Sequence, residues 1–134
     1  MNFTKTTSYS LKVLSFMAEH EKDTISASHL NKNLAIPYSY LRHLLFTLAE
    51  KGFIRSEKGR NGGFSLIRNS GDIYLIEIIE AIEGTNSFDR CMMGITDCRQ
   101  VKKCALHNLW SGIRKDVLNM LNRTSLADLV LQTE

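Results

Sequence analysis

Cys91, Cys98 and Cys104 are the only cysteines in the chain, with six residues between the first two and five between the last two. That spacing fits neither a redox Cys-x-x-Cys pair nor the short knuckles of structural zinc. An odd number of thiols behind an opening too polar for a secretory signal also argues against a disulfide framework. Three soft thiolates suit an iron-sulfur cluster if one further ligand is supplied. His107 is the nearest donor. It follows Cys104 by three residues, so a helix beginning near Cys104 would project both side chains from one face of its first turn. Arg90, Arg99, Lys102 and Lys103 surround the cysteines; nearby cations favour the thiolate form and offset the charge of a bound cluster. The alternatives are a loop of free, oxidisable thiols, a zinc site, or a capping or core role for His107.

Elements that must position this group can be read on either side of it. Tyr9 to about His20 carries Tyr9, Val13, Phe16 and Met17 at helical spacing, with Leu11 and Leu14 as a second stripe, which predicts a helix covered on both sides. Ser26 is placed to cap a short helix with Ala27, Leu30 and Leu34 inward. After Ala35-Ile36-Pro37 a second helix starts near Tyr38, with Leu41, Leu44, Leu45 and Leu48 on one face and Ser39, Arg42, His43 and Phe46 on the other. Two short helices around a tight break are a helix-turn-helix pattern. Phe53–Ser56 and Phe64–Ile67 then read as strands of a hairpin whose tip, Glu57-Lys58-Gly59-Arg60-Asn61-Gly62-Gly63, is cationic and glycine-rich. Such a tip lets backbone lie close to phosphates. Leu75–Glu83 predicts an apolar helix stopped by Gly84, with Glu77, Glu80 and Glu83 as a solvated edge. From Thr85 to Lys103 the apolar periodicity is lost. A last helix is expected from about Cys104 to Asn122, where Leu106, Trp110, Ile113, Val117 and Met120 or Leu121 approximate a heptad seam. In so short a chain that seam is expected to be buried against a second copy, giving a homodimer suited to a pseudo-palindromic DNA site.

Composition narrows the function classes. At 134 residues the chain has the length of one domain, and 43% hydrophobic with 23% charged residues is ordinary for a folded one. No run reaches the ~18 apolar residues of a membrane span, so the expected location is cytoplasmic. The net charge of +3 is unevenly spread: residues 1–70 hold ten Lys/Arg against five Asp/Glu, and residues 71–134 hold seven against nine. The basic stretch from Lys51 to Arg68 suits a phosphate backbone. No phosphate loop, nucleophile elbow or convincing acid/base pair is present, so an enzyme and a small-molecule substrate are not expected.

The order of winged helix, apolar helix, three-cysteine loop and long terminal helix resembles the BadM/Rrf-two family of bacterial transcription regulators, from Phe3 to about Val130. Its most specific pieces are Gly59-Arg60-Asn61-Gly62-Gly63-Phe64, the tract Leu75 to Gly84, and Cys104-Ala105-Leu106-His107-Asn108-Leu109-Trp110. The last piece is most similar to members in which three cysteines and a histidine hold a 2Fe-2S cluster. The resemblance therefore implies Cys91, Cys98, Cys104 and His107 as ligands, with 2Fe-2S ahead of 4Fe-4S. Two features depart from the family pattern. The gap between Cys91 and Cys98 is one residue longer than is common in iron-sulfur members, and Ser8 precedes Tyr9 where nitric-oxide-sensing members can carry an aspartate ligand. For DNA the resemblance points to Tyr38, Ser39, Tyr40, Arg42 and His43, with Lys58, Arg60, Asn61 and Gly62 in the wing. Chemistry divides their roles: Arg42 and His43 suit base edges, Ser39, Tyr38 and Lys58 suit phosphates, and Arg60 suits the minor groove. Tyr40 is equally suited to packing.

The combined expectation is a mainly α protein with a small β-hairpin wing. It comprises a winged helix-turn-helix unit at residues 1–84, a cysteine-containing loop at 85–103, and a dimerisation helix and tail at 104–134. It would act as a homodimeric repressor on double-stranded DNA, switched by an iron-sulfur cluster. A cluster-free thiol sensor and a small iron-sulfur electron carrier are the rival readings.

Overall fold

A computed structural model describes residues 4–84 and 107–132, with side chains at 4–84 and 108–130. The expected class is present: six helices and one two-stranded antiparallel hairpin among the described residues.

The first helix, α1 (Lys5–Glu19), begins one turn before the apolar periodicity does, because the Thr4 hydroxyl accepts the Thr7 N–H at 3.3 Å and caps it. Val13 and Leu14 are wholly buried. Residues of both stripes are covered: Val13, Leu14 and Met17 are buried, and Tyr9, Leu11 and Phe16 pack half-buried against the core.

Helix α2 (Ala27–Leu34) is too short to persist alone in water. Its cap is Ser26, whose Oγ accepts the His29 N–H at 3.1 Å, and its fully buried anchor is Leu30. The turn that follows places Ala35 at φ 55°, in the left-handed region, then buries Ile36 completely. The Asn31 side-chain amide donates to the Ile36 carbonyl at 2.6 Å and closes the turn. Helix α3 (Tyr38–Glu50) then buries Leu41, Leu44, Leu45 and Leu48, none more than 1% exposed. At ~1.5–3 kcal/mol per fully buried side chain, these four dominate the attachment of α3 to the body.

Strands β1 (Ile54–Glu57) and β2 (Gly63–Leu66) are each displaced by one residue from the sequence expectation, and pair Ile54 with Leu66 and Glu57 with Gly63. Ile25, just before α2, adds a bridge to Phe64 through two backbone hydrogen bonds of 2.8 and 2.9 Å. The wing is thereby fastened to the entry of the helix-turn-helix pair.

Helix α4 (Leu75–Glu83) ends at Gly84, φ 91°, as expected. Its glutamates are not all a solvated edge. Glu77 accepts the Tyr74 N–H at 2.9 Å and pairs with Arg68 at 3.0 Å. The Glu83 carboxylate accepts from the Thr4 N–H, the Thr4 hydroxyl and the Thr7 hydroxyl at 2.6 to 2.8 Å, tying the end of α4 to the start of α1.

Helix α5 (His107–Arg123) spans 17 residues, about 25 Å. Leu121 enters the core at 3% exposure, and Val117 and Leu118 pack against that core half-buried. A further helix, α6 (Leu126–Gln132), stands where a tail was expected. Ser125 and Asp128 cap it reciprocally, each backbone N–H donating to the other's side chain at 2.9 and 3.3 Å. Leu126 is wholly buried, and its N–H donates to the Ile73 carbonyl at 3.0 Å. No described helix is long and apolar enough to cross a membrane.

Candidate nucleic-acid interface

The four leucines of α3 use one side of that helix, so residues a half-turn away must face outward. Ser39, Arg42, His43 and Phe46 occupy that outward row, and all four are exposed. Tyr38 is 44% exposed beside them, with the Arg42 guanidinium 6.0 Å from its ring centroid. Of the expected contacts on this helix, Tyr38, Ser39, Arg42 and His43 thus stand together on an accessible surface.

Tyr40 is placed differently. Its hydroxyl is hydrogen-bonded to Thr6 Oγ1 at 2.5 Å, and its ring meets that of Tyr9 edge-on at 5.4 Å. Both partners belong to α1. A tyrosine held at both ring and hydroxyl helps set the position of α3, the packing role that the sequence left open beside DNA contact.

The wing presents Lys58, Arg60 and Asn61 exposed at its tip. Its one carboxylate, Glu57, lies 3.7 Å from Arg55 and accepts from the Thr24 hydroxyl at 3.2 Å. Among the described residues no ion pair involves Lys58, Arg60 or Arg42, so their charge is available to an anionic partner. Gly62 and Gly63 at the tip also have a local reason. A Cβ on Gly63, where φ is 153°, would sit 2.5 Å from the Ile25 carbonyl oxygen, and one on Gly62 would collide with the Glu57 carbonyl oxygen. The chain's own backbone takes the space, which pins the wing beside α2.

The seam expected on α5 divides between two sides of the helix. Leu121 and Val117 face the chain's own core, and Trp110 is half-buried. Ile113 and Met120 are 53% and 55% exposed, and Leu109, which the heptad count passed over, is 67% exposed in the same row. Asp116 also lies in that row and is exposed.

Cys91, Cys98, Cys104 and Leu106 lie outside the described residues, as does the side chain of His107, whose backbone opens α5. Among the described residues no cluster of three or more His, Cys, Asp or Glu could hold a metal ion. The donor chemistry of the four proposed ligands, three thiols and an imidazole, fits an iron-sulfur cluster.

A family model for Rrf2, an iron-dependent transcriptional regulator, matches residues 3–132. The HTH-type transcriptional regulator IscR of Xenorhabdus nematophila is 27% identical over 135 aligned positions, covering 100% of this chain and 82% of the relative. Among solved structures, CymR, the global cysteine regulator of B. subtilis, superposes with a TM-score of 0.84 at 23% identity, covering 100% of this chain and 99% of the other. T. potens IscR gives 0.79 at 20% identity, covering 100% and 89%. At those identities the two structures establish the shared fold, and in it the hairpin beside α3 is the wing of a winged helix-turn-helix. With the family model spanning nearly every residue, and with that fold around the outward row of α3, the chain belongs to the Rrf2 family of transcriptional regulators.

Proposed function

We propose that the chain is a homodimeric repressor whose affinity for double-stranded DNA, or choice of operator, is set by an iron-sulfur cluster held by Cys91, Cys98, Cys104 and His107. The observations that carry the DNA part are the exposed row Ser39, Arg42 and His43 on α3 and the exposed Lys58 and Arg60 of the wing tip, which form no ion pair among the described residues. Arg42 and His43 would meet base edges in the major groove, while Ser39, Tyr38 and Lys58 hold phosphates. Arg60, with Asn61 and Gly62 beside it, would follow the adjoining minor groove. The dimer rests on the row Leu109, Ile113 and Met120, which leaves more apolar surface in water than a single helix usually does.

The ligand set rests on chemistry. Three thiolates and an imidazole in one segment suit an iron-sulfur cluster, the relative IscR shares the chain's full length, and the family is described as iron-dependent. Such a group, when bound, would supply a redox- and oxygen-sensitive link among the four donors between Cys91 and His107. The contacts that would carry its effect belong to this chain. Glu83 lies at the last turn before the cysteine segment and grips the start of α1; Thr6 and Tyr9 of α1 in turn hold Tyr40 of α3. Ligation would bias that chain of contacts, and with it the stance of the two reading helices.

Two measurements on anaerobically purified full-length protein test the reading. Iron, sulfide and visible absorbance are expected, and are expected to vanish in Cys98→Ala. Selection of bound sequences from a random pool is expected to enrich an inverted repeat, with affinity or sequence choice differing between loaded and cluster-free protein. Protein that stays colourless and iron-free after reconstitution removes the cluster. If metal-free protein then loses its DNA affinity on peroxide treatment, thiol oxidation takes its place.

A further inference from the structure

We infer that Phe46 is a specificity-determining residue, reading the 5-methyl group of a thymine through contact with its ring in the major groove. The inference rests on the DNA-binding reading above and adds a base preference to it.

Phe46 is 66% exposed, on the side of α3 opposite Leu44 and Leu48. Phenylalanine is ordinarily buried, and here the chain's own core leaves it out. It shares its row with Ser39, Arg42 and His43 at the i, i+3, i+4 and i+7 spacing. Phe46 lies four and three residues beyond Arg42 and His43, only about 4.5 to 6 Å further along the axis. A helix that sets Arg42 and His43 against base edges therefore still has Phe46 within the groove.

The surroundings favour a nucleic acid over an apolar protein surface. Phe46 follows an arginine and a histidine by one turn, and exposed Glu50 comes one turn later. No second large apolar side chain on this row extends the ring into a patch. Glu50 is repelled by phosphate, so the row stops accommodating a duplex just beyond Phe46. Within the major groove the one apolar group on a base edge is the thymine methyl, which matches a single isolated ring.

The experiment uses the full-length protein and the sequence it selects from a random pool. Each thymine of that site is replaced singly by deoxyuridine, which removes the methyl group and leaves every hydrogen-bonding atom. Wild-type protein is expected to lose about fourfold in affinity at one thymine per half-site, the loss of one buried methyl. Phe46→Ala is expected to bind thymine and deoxyuridine equally there, and Phe46→Leu to retain part of the preference. An unchanged thermal midpoint checks that Phe46→Ala is folded. The inference is overturned, with DNA binding intact, if no thymine responds or if Phe46→Ala responds as wild type does. It is also overturned if Phe46→Ala alters the oligomeric state instead. If wild-type protein enriches no sequence at all, the DNA reading fails first and takes this one with it.

Discussion

Helices α3 and α5 are both two-sided, yet they stand at opposite ends of self-sufficiency. In α3 the apolar side is used up within the chain, with four leucines at 1% exposure or less, and the outward side is polar except for Phe46. Among the described residues, α5 reaches the core through Val117, Leu118 and Leu121, while Leu109, Ile113 and Met120 face outward at more than half exposure. The difference separates a helix placed by folding from one that folding alone leaves incomplete. The first can present a fixed chemical surface to DNA, and the second has apolar surface left for a second copy of the chain.

Three substitutions break or sharpen that contrast. Leu44→Ala should have the largest effect on stability, costing about 2 to 5 kcal/mol by leaving a cavity beneath α3. Chemical denaturation would read it as a lower midpoint, and a cost under about 1 kcal/mol would mean that α3 is not anchored as described. Ile113→Asp should leave the folded protomer nearly as stable but weaken the proposed dimer by tenfold or more, since a charge would meet its own copy across a two-fold axis. Light scattering across a dilution series reads the change. A dimer untouched by Ile113→Asp would place the interface elsewhere. The smallest effect is expected from Ala35→Gly in the turn before α3. Relief of a left-handed alanine, partly offset by the entropy of glycine, should raise stability by roughly 0.5 to 1 kcal/mol. A fall in the thermal midpoint would contradict the left-handed turn.

Much of this was legible in the chain because periodicity states which residues share a side. The spacing of Leu41, Leu44, Leu45 and Leu48 identified the buried side of α3, and by subtraction the outward row that carries the candidate DNA contacts. Ser26 and Gly84 marked helix ends through chemistry confined to a few neighbouring residues. Helix α6 was missed although Ser125-Leu126-Ala127-Asp128 carries a capping signal, since seven residues leave too short a stripe for periodicity to register. Phe46 was visible as a member of the outward row, but its isolation there depends on what its neighbours cover.

What the sequence determined by itself is local: helix phases, the hairpin and its cationic tip, and a donor set of three thiols and an imidazole. Only the tertiary structure decided which partner each side met. Glu83 reads as one of three spaced carboxylates until Thr4 and Thr7, 79 and 76 positions away, are brought against it. Tyr40 reads equally as a DNA contact or a packing residue until Thr6 and Tyr9 are brought against it, and the seam of α5 reads as one stripe until the core claims Leu121. A side chain's type and phase are written along the chain, whereas its partner depends on how distant segments pack, and the same stripe is satisfied by the chain's own core or by a second molecule.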